Sequence, residues 1–182
     1  MYANDRNDFY LKALLGITEK PKVFISYQHS NDQYWYNQFS YIFSDIYDLL
    51  SDNSLQRKYD SEETDYIDRS IRENNITGSS VTIVLCGKET WKRKYVDWEI
   101  YATLYKKHAL LGIILPTLLP NINNKYIVTG RLHDNISSAY AHWILWTNDP
   151  KEISIAIATA KQYARFTSNI NNTREKMKRN LS

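Results

Sequence analysis

Cysteine occurs once in this 182-residue chain, proline four times and glycine five times. The single thiol, Cys86, excludes an intrachain disulfide. With four scattered histidines it cannot complete a zinc ligand set, and no metal site is expected. The glycines nowhere form GxGxxG, so a glycine-rich phosphate loop is excluded. No apolar run is long enough to span a membrane. The opening MYANDRNDFYLKALLG lacks the basic-then-apolar order of a secretory signal. These absences lead to the expectation of a protein of the reducing cytoplasm with no membrane partner. A basic stripe interleaved with aromatics is also missing, so no nucleic-acid partner is expected. The net charge of +3 collects in Arg174, Lys176, Lys178 and Arg179, read as the solvated end of a C-terminal helix.

Aromatic residues are plentiful, with 15 Tyr and 5 Trp, as in a heavily packed interior or a pocket that stacks flat rings. The length suits one domain. Its core is placed at about residues 20–147, preceded by a helical extension over Asp8–Leu15 and followed by a helix over 149–180. Strands are expected at Lys22–Tyr27, Leu55–Tyr59, Val81–Leu85, Ala109–Leu115 and His142–Trp146, from short apolar or β-branched runs closed by Gly, Pro or polar clusters. Between them the spacing predicts helices over Asp32–Leu50, Thr64–Arg72 and Thr90–Lys106. Leu118–Asp134 reads as a long irregular loop. Asp149-Pro150 opens the last helix, with proline at its first position.

Strands thus alternate with helices, and the runs at 81–85 and 109–115 are uniformly apolar. A parallel sheet covered on both faces requires such strands. The fold class is α/β: a doubly wound, mainly parallel sheet of about five strands. Ligands of such sheets sit beyond the carboxyl ends of the strands. Two polar loops, Tyr27–Asp32 and Cys86–Thr90, fall there.

On a helical wheel of Thr90–Lys106, Glu99 lies on the less polar arc with Tyr95, Val96, Ala102 and Thr103. The far arc holds Thr90, Lys94, Asp97, Tyr101 and His108 and is read as solvated. An inward carboxylate is costly unless paired, hydrogen-bonded or functional. Periodicity leaves three readings open: an ion pair with Lys92 or Lys106, satisfaction of backbone donors at a strand end, or chemistry.

Two segments carry a resemblance. Lys22-Val23-Phe24-Ile25-Ser26-Tyr27, with the polar loop to Asp32, resembles the first strand of TIR domains. Trp91-Lys92-Arg93-Lys94-Tyr95-Val96-Asp97-Trp98-Glu99-Ile100 resembles the helix of the TIR-like proteins of Thoeris antiphage systems, and Ser79–Gly87 the strand before it. The similarity spans roughly residues 20–115. Plant and animal TIR domains carry Trp-Cys-x-x-Glu at this helix, where this chain reads Val96-Asp97-Trp98-Glu99. The resemblance implies a flavodoxin-like sheet, cleavage of the nicotinamide–ribose bond of NAD, and Glu99 as the catalytic residue. It further implies a signal nucleotide, cyclic ADP-ribose isomer or ADP-ribose conjugate, that activates a separate effector after a phage-derived trigger. Self-association is common among such domains. NAD would be substrate, with no resident cofactor.

On this reading the substrate-binding candidates are Phe24, Ser26, Tyr27, Gln28 and His29 at the end of the first strand, and Trp91 before the Glu99 helix. Tyr27 or Trp91 would stack on nicotinamide or adenine. Ser26 and Gln28 would contact ribose or phosphate, and His29 would accept a proton. Each also has a structural reading: core packing for Phe24 and Trp91, turn capping for Ser26 and Gln28, a solvated loop position for His29. Phosphate would be held by helix N-termini near Asp32 or Thr90, with Lys88 or Lys92 assisting. Cys86 closes a buried strand and is read as structural. Two other functions are compatible with the pattern: a non-catalytic TIR-type interaction module, and a nucleoside deoxyribosyltransferase-like enzyme using Glu99 as nucleophile.

Overall fold

Residues that alternate between two buried faces set the architecture. In the computed structural model, which describes residues 20–50, 76 and 78–182, the strands are β1 (Lys22–Ser26), β2 (Asp48–Leu50), β3 (Val81–Cys86), β4 (Ala109–Ile114) and β5 (His142–Leu145). They form one sheet in the order β2-β1-β3-β4-β5, with every pairing parallel. This is the flavodoxin-like order, whose strand direction of travel reverses between β1 and β3. All six residues of β3 and of β4 are buried, as the apolar runs require. The edge strand β5 alternates between half-buried and exposed residues.

Helices α1 (His29–Phe43) and α4 (Pro150–Tyr163) cover one face. Phe39, Phe43, Ile153, Ala156 and Ile157 pack there on Val23, Ile25, Val81, Ile83, Leu111 and Ile113. The intervening strand residues point to the other face. There α2 (Lys94–Tyr105) and α3 (Gly130–Ser137) cover Val84, Cys86, Leu110 and Ile114 through Val96, Ile100, Leu104 and Leu132. Phe24 packs with Ile76, Trp98 and Ala102 on the same side. Among the described residues no helix is long and apolar enough to cross a membrane.

Several expectations need correction. The first long helix runs His29–Phe43 rather than Asp32–Leu50. Ser44 N caps it on Ser40 O, a following turn has Tyr47 N donating to Phe43 O, and then Asp48 N donates to Pro21 O and residues 48–50 pair with β1. An available strand edge outweighs the helical periodicity of that stretch. The predicted irregular loop, Leu118–Asp134, gives way at Gly130 to α3, which runs on to Ser137. Its buried positions are Arg131, Leu132 and Asn135, so its inward face is mostly polar and leaves no apolar period to read. The final helix starts at Pro150 with Asp149 Oδ1 accepting from Lys151 N at 2.9 Å, as proline at its first position suggests, but it ends at Tyr163. After a short 3-10 turn at Thr167–Asn169, the tail runs back over α3 and α2 instead of forming a solvated helix end. The expected helix Asp8–Leu15, strand Leu55–Tyr59 and helix Thr64–Arg72 lie outside the described residues.

The outer face of α2 is closed by a buried ion pair. Arg131 Nε donates to Asp97 Oδ1 at 3.0 Å and Nη2 to Oδ2 at 3.3 Å, with both side chains essentially inaccessible. Arg131 also donates to Asn172 Oδ1 at 2.7 Å and to Glu175 O at 3.2 Å, and Met177 N donates to Asp97 Oδ2 at 3.0 Å. Asp97, expected on the solvated arc, is therefore 1% exposed, because the tail covers it. Nearer the surface, Arg174 donates to both Asp134 oxygens at 2.8 and 3.0 Å, and this pairing holds the Asp134 carboxyl below the usual range.

Two outcomes follow for stability. Arg131→Ala leaves Asp97 buried without its cation and should lower unfolding free energy by about 3–5 kcal/mol, read from denaturant midpoints. Asp134→Asn should cost less than about 1 kcal/mol at neutral pH. A depressed carboxyl stabilises above its unfolded pKa and loses that contribution as pH falls through the folded value. Melting curves of the wild type and Asp134→Asn should therefore begin to converge as pH falls below about 4 and meet only below the depressed folded value.

Candidate functional site

At the carboxyl edge of the sheet the last residue of β1 meets the second turn of α2. Ser26 Oγ donates to Glu99 Oε2 at 2.5 Å. Strand alternation sends Phe24 and Ser26 to the α2 side, and helical spacing turns Glu99 inward beside Ala102 and Thr103. Glu99 is 7% exposed and Ser26 1%. One turn further along α2, Thr103 Oγ1 donates to Glu99 O at 2.8 Å and lies 2.7 Å from Thr82 Oγ1 on β3. Because Thr103 donates to the carbonyl, the Thr82 hydroxyl is the donor between the two threonines. The helix is thus seated on the sheet by a polar column, Ser26 under the Glu99 side chain and Thr82 under Thr103.

The predicted helix over Thr90–Lys106 is interrupted. Thr90–Lys92 forms a 3-10 turn, Arg93 is extended, and α2 begins at Lys94. Lys92 therefore falls outside the wheel and pairs with Glu89 at 2.9 Å instead of with Glu99. The break brings Arg93 to the rim. With its amide oxygen turned toward Arg93, Gln28 accepts from Nε at 2.9 Å, from Nη2 at 2.7 Å and from Ser30 Oγ at 3.1 Å. Gln28 is 3% exposed, so the guanidinium is gripped by a buried group.

Beneath this rim lies Asp32, expected at the start of the helix and found fully buried in the first turn of α1. Its Oδ2 accepts from Thr90 Oγ1 at 2.7 Å, and Thr90 Oγ1 accepts from Gly87 N at 2.8 Å. Burial pushes the Asp32 carboxyl up, opposed by Thr90, by a backbone bond at Gln28 and by the charge of Arg93. These contacts tie the ends of β1 and β3 together through the start of α1. The β3 end is not an open phosphate loop.

Of the other candidates, Tyr27 is buried and stacks on Tyr36 with ring centroids 4.5 Å apart and planes 3° apart. It also tilts against His29 at 4.2 Å and donates to Gln33 Oε1 at 3.1 Å. Its hydroxyl is pushed above the ordinary tyrosine range, mainly by burial and in smaller part by Tyr36 and the Glu99 charge. His29 is half-buried at the first position of α1. Phe24 is fully buried in the core against Trp98 and Ala102, which is its packing reading. Trp91 is half-buried in the 3-10 turn, with Lys92 Nζ 5.4 Å from its ring centre. Cys86 is buried and its thiol is pushed up by that burial, in keeping with a structural role.

The structure thus brings together Ser26, Glu99, Tyr27 and Gln28, and adds Arg93, Asp32 and Thr90. Arg93 lay within the matched segment but carried no signal of its own, since its position depends on the helix break. A cavity of about 660 Å³ opens elsewhere, lined by Lys20, Lys22, Tyr36, Ser40, Ser44, Tyr47, Asp48 and Leu49. Lys22 and Asp48 begin β1 and β2, so it sits at the amino ends of those strands, away from the carboxylate. A buried carboxylate with a hydroxyl donor at the carboxyl edge is the better mark of a reaction site. Among the described residues no group of three His, Cys, Asp or Glu is placed to hold a metal.

A family model described as the TIR-like domain of the Thoeris protein ThsB matches residues 24–119, just over half of the chain. Curated proteins offer no match. Among solved structures, the TIR domains of the activated Roq1 resistosome directly recognizing the pathogen effector XopQ align with 81% of this chain and 85% of that one. They are 9% identical to it, with a TM-score of 0.37, a likeness too distant to bear on function.

Gly87 offers a test of this rim. A Cβ added there would overlap Asp32 Oδ1. Gly87→Ala should destabilise the protein by about 1–3 kcal/mol. Combining it with Asp32→Ala should remove most of that increment in a double-mutant cycle of urea midpoints.

Proposed function

The chain belongs to the TIR-like domain family of the Thoeris protein ThsB, and on that premise we propose that it cleaves the nicotinamide–ribose bond of NAD in antiphage defence. The observation that carries the reading is the buried Glu99 carboxylate held by Ser26 at the ligand edge of the sheet.

The chemistry asks for little more than that. The nicotinamide ring of NAD is cationic, so when its bond to ribose breaks the electron pair leaves with the ring and makes it neutral. No general acid is required. The ribosyl centre becomes oxocarbenium-like, as in glycoside cleavage. A fixed negative charge beside it, in a site shielded from water, lowers the barrier by preorganised electrostatics. Glu99 supplies that charge, and the Ser26 hydroxyl fixes one of its oxygens so that it need not reorient as charge develops. Arg93, steadied by Gln28, supplies a cation at the rim for the pyrophosphate. Tyr27, packed on Tyr36 and His29, backs the end of β1 rather than presenting an open ring.

The acceptor decides the product. Water yields ADP-ribose. A nucleophile of the same molecule yields a cyclic isomer, and an amino acid such as histidine yields a conjugate. In the proposed pathway the released nucleotide acts on a separate effector protein, and phage infection is the trigger. The reading assigns NAD as substrate and no resident cofactor.

Nicotinamide release from NAD tests the assignment, in purified protein and in lysate of phage-infected cells expressing it. Glu99→Gln keeps the shape and loses the charge, and should lower kcat by at least about 100-fold. Ser26→Ala should lower kcat by about tenfold with KM little changed. Release that survives Glu99→Gln would remove the carboxylate from the chemistry. Silence in both settings would favour a non-catalytic interaction module, and base exchange on deoxynucleosides a deoxyribosyltransferase.

A further inference from the structure

The first N–H groups of a helix need acceptors from outside it. At the start of α2 the cap position is Arg93, and its side chain makes no cap bond. The acceptor comes from the other end of the chain: Lys94 N donates to Asn180 Oδ1 at 3.0 Å. Beside it Leu181 N donates to Lys92 O at 2.9 Å. Trp98 Nε1 donates to Met177 O at 2.8 Å, Met177 N to Asp97 Oδ2 at 3.0 Å, and Asn172 Nδ2 to Tyr101 O at 3.3 Å. Residues 171–181 therefore form a strap along α2. Its contacts at 94, 97, 98 and 101 follow one helical face. At its proximal end Asn171 and Asn135 exchange two bonds, Asn135 Nδ2 to Asn171 O at 2.7 Å and Asn171 N to Asn135 Oδ1 at 3.0 Å, which anchor it to α3.

The opposite face of the same turns carries Glu99 against Ser26. Two and five residues separate Glu99 from Asp97 and Lys94, so the strap's grip and the carboxylate sit on one rigid two-turn unit. Side-chain tips lie about 5–6 Å from a helix axis, so a rotation of about 10° moves the carboxylate by about 1 Å. A displacement of that size can lower a rate by about 100-fold.

We infer that the C-terminal strap is a positioning element for Glu99, in which Asn180 caps α2 from a distance and, with Met177, sets the rotation of the helix that presents the carboxylate to Ser26. Asn180 touches no reacting group on this account and acts through α2. The consequence for rate rests on the reading of Glu99 as the catalytic carboxylate. The consequence for the Glu99–Ser26 contact does not.

Asn180 is exposed, so its variants leave the core intact. The full chain is compared with Asn180→Ala and Asn180→Asp. The aspartate keeps an acceptor, and its charge suits a helix N-terminus. Amide exchange at 94–98 is measured, together with the ¹³C-carboxyl titration of Glu99 and nicotinamide release. Asn180→Ala should speed exchange in the first turn by about fivefold. It should also shift the Glu99 titration and lower kcat several-fold with KM little changed, and Asn180→Asp should restore all three. An unmoved Glu99 titration in Asn180→Ala overturns the inference, and so does an undiminished kcat alongside faster exchange. If the wild type releases no nicotinamide either purified or in lysate of phage-infected cells, the NAD reading fails by itself. Exchange and titration then still decide the strap: a shift reversed by Asn180→Asp supports it, and no shift overturns it.

Discussion

The buried fork between Arg131 and Asp97 is the interaction on which the α2 side of the sheet depends. Two charges removed from water are expensive, and only complete pairing recovers the cost. Here the pairing is dense. Arg131 is shared between Asp97, Asn172 and the carbonyl of Glu175, while Asp97 takes an additional bond from Met177 N. The fork therefore joins α2, α3 and the C-terminal tail in one knot. The guanidinium also lies over Tyr101, 5.1 Å from its ring centre, which adds a cation–π contact on the α2 side. Such a knot does more for specificity than for net stability, because a hydrophobic replacement could pack the same volume without naming its partners.

From that constraint α2 inherits two polar faces. One is fastened outward by Asp97. The other is seated inward on Ser26 and Thr82, through Glu99 and Thr103. Apolar contacts from Val96, Ile100 and Leu104 fill the arc between. Nondirectional packing alone would tolerate small rotations of the helix. Hydrogen bonds on both sides do not, since each has a narrow range of distance and angle. The carboxylate is consequently held by geometry that extends well beyond its own contact.

Much of this was readable from sequence where one element carries its own signal. Strands β1, β3 and β4 declare themselves because two-sided burial demands uninterrupted apolar runs, and their burial is complete but for Lys22. The inward turn of Glu99 follows from spacing alone. What escaped was whatever depends on a distant partner. Asp48-Leu49-Leu50 reads as the end of a helix because its strand partner is β1. The face of α3 is hidden because Arg131 and Asn135 are inward polar residues whose acceptors lie in the tail. Asp97 looks solvated because its cover arrives eighty residues later. Arg93 reaches the rim only because α2 breaks beside it, and local propensity does not foretell that break.

The span matched by the family, residues 24–119, contains Ser26, Arg93 and Glu99 but neither α3 nor the strap. The groups that would do the chemistry and the groups that orient them are therefore drawn from different parts of the chain. Arg131 pairs across this division with Asp97, and Asn180 crosses it to reach Lys94. A carboxylate two residues from Asp97 cannot be indifferent to how that crossing is made. The matched core can keep its sheet and its glutamate while the segment after β5 determines how firmly, and at what angle, that glutamate is presented.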